Sequence, residues 1–144
     1  MRVDFYQLSQ TPVEQALPLI ARKVLDTGER LLVVAADEGQ RARISDALWA
    51  AKTGFLAHGL ADAPHAERQP ILLSAGMDAP NGARMVALAD GEWRDGADAF
   101  ARVLLFFDQS TVERAREIWR MLDGRKGQER NYWRQEDGKW VQAA

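Results

Sequence analysis

The chain contains no cysteine. Disulfide staples, thiolate nucleophiles, iron–sulfur ligation and Cys-type zinc sites are excluded at once, and the composition fits a reducing cytosol. Histidine is nearly absent as well. His58 and His65, with Asp62 between them, lie in a Gly/Ala/Pro-rich stretch and lack the paired spacing of metal ligands on a helix. No apolar run approaches the ~20 residues of a membrane helix. Met1-Arg2-Val3-Asp4 leads into an alternating pattern rather than a secretory apolar region, so a cytoplasmic protein without membrane contact is expected. Glycine loops for phosphate are missing too: neither GxGxxG nor GxxxxGK followed by Ser or Thr occurs. The turn after the first apolar stretch reads Ser9-Gln10-Thr11-Pro12, with no glycine and with a proline that removes a donor, so no nucleotide cofactor is expected. A GxSxG nucleophile elbow is absent, and Ser74 has only the two histidines as candidate bases. Asp90, Glu92, Asp95 and Asp98 form a carboxylate-rich stretch without a positional partner and read as a solvated loop and helix start. No catalytic residue and no metal site emerge.

What is present is an ordinary globular composition, 47% hydrophobic and 28% charged over 144 residues, which predicts one domain with its own core. Charge is unevenly spread. Residues 1–113 carry 11 Lys+Arg against 16 Asp+Glu, whereas residues 114–144 carry 8 against 5, so an acidic partner would dock on the C-terminal part. A solvated helix face with a basic tail is the alternative reading of the same charges.

Runs at 3–8, 31–36, 70–73, 84–88 and 102–107 predict strands, and the continuous apolar ones suit a parallel sheet covered on both faces. Between them, Thr11-Pro12-Val13-Glu14 predicts a capped helix over about 12–27, and Asp37-Glu38-Gly39-Gln40 a second with Ile44, Ala47, Leu48 and Ala51 as its apolar stripe. Ser110-Thr111-Val112-Glu113 predicts a third capping box, before a helix ending at Gly124. Residues 95–100 suggest a helical turn, and 53–69 and 75–83 read as loops. Asn131-Tyr132-Trp133-Arg134 and Lys139-Trp140-Val141 flank Asp137-Gly138, a dipeptide suited to a type I′ turn, and predict a small hairpin over about 131–142. The alternation predicts an α/β, Rossmann-like three-layer sandwich with a mostly parallel central sheet and no phosphate-binding loop.

At about 100° per residue, Arg116, Trp119, Val112 and Arg120 fall beside the buried stripe marked by Ala115 and Leu122. Glu113 and Glu117, three residues before each arginine, could pair with them locally, more usefully for Arg120 than for Arg116. Trp49 lies at the margin of the second helix's stripe, and Phe55 follows Gly54 in a loop, where both rings either pack on the core or meet a partner.

Together these pieces resemble the chi subunit family of bacterial DNA polymerase III nearly end to end. The resemblance rests on Val3-Asp4-Phe5-Tyr6-Gln7-Leu8, on Leu48-Trp49 followed by Phe55-Leu56-Ala57-His58, on Pro70-Ile71-Leu72-Leu73, and on Ala115-Arg116 followed by Trp119-Arg120. It implies a non-catalytic accessory subunit without cofactor that links the clamp loader to single-stranded DNA-binding protein by gripping its acidic, Phe-ended C-terminal tail. On that reading Arg116, Trp119, Arg120 and Val112 hold the tail, while Trp49, Phe55, Leu56 and His58 meet the psi subunit or a replacement, with a repair helicase as a further partner and DNA reached mostly indirectly. Two other classes stay open. A nucleic-acid-binding module would stack bases on the basic, aromatic C-terminal region. A small-molecule enzyme would use Asp37-Glu38 and Ser74-Ala75-Gly76 at the strand ends.

Overall fold

The computed structural model describes residues 1–144 apart from Gln10, Thr53, Lys126, Asp137 and Gly138. The Asp137-Gly138 turn and Lys126 of the basic stretch therefore lie outside the described residues. The described strands are β1 (Arg2–Gln7), β2 (Leu31–Val34), β3 (His58–Leu60), β4 (Ile71–Ser74), β5 (Met85–Leu88), β6 (Arg102–Phe107), β7 (Glu129–Glu136) and β8 (Lys139–Gln142). The helices are α1 (Val13–Asp26), α2 (Glu38–Trp49) and α3 (Val112–Asp123).

All eight strands join one sheet in the order β3-β4-β2-β5-β6-β1-β7-β8, parallel throughout except for the antiparallel β7–β8 pair. Strands with continuous apolar runs take the centre because both of their faces are covered. On one face, Leu17 and Ile20 of α1 and Ile44 and Leu48 of α2 pack with Val33, Leu73, Leu104 and Phe106. On the other, Ala115, Ile118 and Leu122 of α3 pack with Val3, Phe5 and Leu105. The three-layer α/β sandwich expected from the alternation is thus formed.

Local details differ from the expectation where a distant group intervenes. Pro12, not Thr11, occupies the N-cap of α1 without a side-chain cap bond, because the Thr11 hydroxyl donates to Gln135 Oε1 at 2.9 Å. The Asp37 cap of α2 does form, accepting from the Gln40 backbone at 2.9 Å, but the Gln40 side chain donates to the Ala89 carbonyl instead of reaching back. At α3 the capping box is replaced by Asp108, whose Oδ1 accepts from the backbone and hydroxyl of Ser110 at 2.9 and 2.6 Å and from the Thr111 backbone at 3.2 Å. Residues 53–69 are not all loop: they hold β3 and a 3-10 turn at Ala66–Arg68. The terminal hairpin is also more than an appendage, since β7 pairs in parallel with β1 from Arg2↔Glu129 to Gln7↔Arg134.

Candidate functional site

In an open parallel sheet the crevice beyond the carboxyl ends of the strands is the usual ligand position. Here it presents Glu14, Asp90 and Asp108 around Arg43 and Gln40. Arg43 is spent on Glu14 at 3.3 Å. Asp90 accepts two bonds from Arg94, at 2.8 and 2.7 Å, and one from the Ala36 backbone at 3.0 Å. Burial pushes its carboxyl up, but these hydrogen bonds prevail and hold it below the usual carboxylate value. Asp90 is therefore a structural brace and not, as its sequence context suggests, a solvated loop residue. Such a wall of carboxylates repels phosphate. The neighbouring cleft at the ends of β2, β3 and β4 holds Glu38, Asp46, Asp62 and Arg41. Arg41 donates to the Ala35 and Ala36 carbonyls, and Ser74 Oγ accepts from the Gly76 backbone, so both are committed to loop geometry.

A different concavity opens beside α3. Phe5, Phe107, Val112, Ala115, Trp119 and Tyr132 form a largely apolar groove of about 350 Å³, with Arg116 and Arg120 on its lip. The four residues expected to act together on α3 are thus brought to one place. The Trp119 ring is fixed from three sides: Phe5 meets it edge-on at 5.0 Å, Tyr132 at 6.3 Å, and the Arg130 guanidinium lies 4.4 Å from its centroid. Arg130 also donates to the Trp119 carbonyl at 2.8 Å and to Asp123 at 2.6 Å, which locks the cation over the indole. Burial raises the Tyr132 phenol above its ordinary value, so it stays neutral and donates to Gln7 Oε1.

Of the two local pairs expected on the lip, the one to Arg116 forms and the one to Arg120 does not. Arg116 takes up Glu113 at 2.6 Å, whereas Glu117 goes to Arg114 at 3.0 Å. Among the described residues Arg120 has no ion-pair partner. Arg116 and Glu113 are 62% and 74% exposed, so their attraction is largely screened. Phe5, Phe107, Arg130 and Tyr132 escape a reading of the α3 segment alone, because they arrive from β1, β6 and β7. The signal for Tyr132 was its place in the alternating hairpin. Only the β1–β7 pairing decides which side it faces.

The second predicted group is split by burial. Trp49 and Phe55 are 59% and 72% exposed, with centroids 5.6 Å apart, and neither ring is core. Leu56 is 1% exposed and belongs to the core under α1 and α2, so the expectation that it meets a partner is corrected. His58 is buried as well. Its Nε2 lies 2.9 Å from Ser45 Oγ and its Nδ1 2.9 Å from the Leu56 carbonyl, and Trp49 covers it at 4.6 Å. It supports the exposed tryptophan and does not itself reach the surface.

No helix is long and apolar enough to cross a membrane among the described residues. No curated protein matches the chain. The family model described as DNA polymerase III chi subunit, HolC, matches residues 1–129, and so takes in α3 and its arginines but stops at the first residue of β7. A match over all but the last 15 of 144 residues places the chain in the DNA polymerase III chi subunit family.

Proposed function

We propose that this chi-family chain, an accessory component of DNA polymerase III, uses the α3 groove to grip the acidic, Phe-ended C-terminal tail of single-stranded DNA-binding protein and thereby links it to the clamp loader. The observation that carries this reading is an apolar slot with a guanidinium lip. A phenyl ring would enter between Val112, Trp119 and Tyr132, while carboxylates meet Arg116 and Arg120. A guanidinium grips a carboxylate through two parallel N–H bonds, a geometry lysine lacks. Because Glu113 is itself exposed, Arg116 can exchange it for a ligand carboxylate at little cost. Arg116→Ala should weaken a tail peptide by about 2 kcal/mol, or about thirtyfold, in isothermal titration. The remaining binding should weaken further as salt is added. An affinity within about twofold of the parent at low salt would overturn the assignment.

The exposed Trp49–Phe55 pair favours a second contact on the same molecule, for the psi subunit or for a repair helicase in its place. Two large rings left in water beside a buried histidine form an apolar surface that a partner would cover. Phe55→Ala should abolish co-purification of psi while leaving the melting temperature nearly unchanged. Undiminished co-purification of psi would overturn the assignment.

A further inference from the structure

On the opposite side of the sheet from the α3 groove, the β7–β8 hairpin and the flank of α1 enclose a recess of about 270 Å³. Its lining joins cations to aromatic rings: Arg2, Lys23 and Arg102 stand around Tyr6, Trp133 and Trp140. Trp133 pairs with Gln142 and Trp140 with Gln135, so the two indoles are diagonal neighbours on one face of the hairpin. Tyr6 lies nearly parallel to Trp133, with centroids 6.4 Å apart, and edge-on to Trp140 at 5.1 Å. The Trp133 indole is held in place by donating to Asp4 Oδ1 at 3.1 Å. Both tryptophans remain partly exposed.

The charges do not balance. Arg2 and Arg102 share the single buried carboxylate of Asp4, at 3.1 and 2.5 Å, which leaves one positive charge over. Lys23 adds another from α1, exposed and without an ion-pair partner among the described residues. Glu129, in register with Arg2, lies outside the lining and accepts from Asn131 at 3.5 Å.

We propose that this recess binds single-stranded nucleic acid, with a base against Trp133 and Trp140 and the flanking phosphates on Arg2 and Lys23. Every base has a flat π-face, so stacking on indoles is tolerant of sequence, and the phosphodiester supplies the negative charge the cations lack. An acidic peptide without an aromatic side chain would satisfy the cations and leave the indoles unused. A duplex would keep its base faces hidden. The volume falls below the roughly 300 Å³ at which pockets for drug-sized ligands begin, the scale of one nucleotide unit. Resting on two surplus cations, the grip is weak and sensitive to salt.

The test is fluorescence anisotropy of a labelled oligothymidylate of about 12 nucleotides with the full chain at low salt. Saturable binding is expected, weakened about tenfold by Trp140→Leu and about tenfold by Lys23→Glu, the second a surface change that leaves the hairpin packing alone. The equal charge reversal Lys52→Glu, on the exposed segment after α2, should leave the affinity within about twofold. Absence of saturable binding, parent-like affinity in both cleft variants, or an equal loss with Lys52→Glu would overturn the proposal. Displacement of the oligonucleotide by an equimolar acidic peptide would overturn it too, because it would give the recess to a protein ligand.

Discussion

Burying a carboxylate costs several kcal/mol unless its oxygens are fully partnered, and Asp4 is completely buried in the middle of β1. Arg2, Arg102 and the Trp133 indole N–H supply its partners. Asp4→Ala would leave two guanidiniums and an indole N–H facing an empty site, and should lower stability by about 3 kcal/mol in urea unfolding. A loss no larger than a surface substitution, under about 0.5 kcal/mol, would mean that water replaces the carboxylate without penalty. Arg2 is the one local partner, whereas Arg102 and Trp133 lie 98 and 129 residues away in sequence and leave no local signal. The same limit explains Phe55 and Leu56. Two adjacent apolar residues look alike in the sequence, yet the chain leading into β3 turns one to water and the other to the core.

Elements were legible from period and caps, but their hydrogen bonds were not. The turn into α3 was expected to rest on a hydroxyl and Glu113, and it rests on Asp108. Hydrogen bonds from the Ser110 hydroxyl, above all, and from Thr111 hold the Asp108 carboxyl below its ordinary value. A carboxyl depressed in the folded state contributes stability above its unfolded value, about 3.9, and loses it as the pH falls through the folded value. Asp108→Asn should therefore melt below the parent at neutral pH, with the gap closing as the pH is lowered below that value. A gap constant with pH would assign the effect to shape and not to charge. β3 escaped the sequence reading for a different reason: a three-residue strand containing glycine has almost no compositional signal. A Cβ at its Gly59 would lie 2.9 Å from the Gln69 side chain, which would have to shift to admit one. Its existence depends on β4 offering an edge, which is a tertiary fact.

At the scale of the whole molecule, strand and helix alternation was enough for the layers and the parallel sheet, while the strand order was not. Nothing local says that β1 stands between β6 and β7. The charge asymmetry was a sounder guide, since the basic C-terminal part does carry the lip of the α3 groove. Only half of that groove was readable, because one helix supplies its arginines and three strands supply its floor and far wall.

Side chains alternate along β7, so Tyr132 is delivered to the α3 groove and Trp133 to the recess under α1. One strand is thus a partition with a working surface on each side, pinned to β1 by Tyr132 to Gln7 and by Trp133 to Asp4. A slip of β7 by a single residue against β1 would invert the whole strand, trading phenol for indole on both sides at once. A slip of two residues would keep each ring on its own side but carry the phenol away from Gln7 and the indole away from Asp4, so these two hydrogen bonds fix the register that alternation alone leaves open.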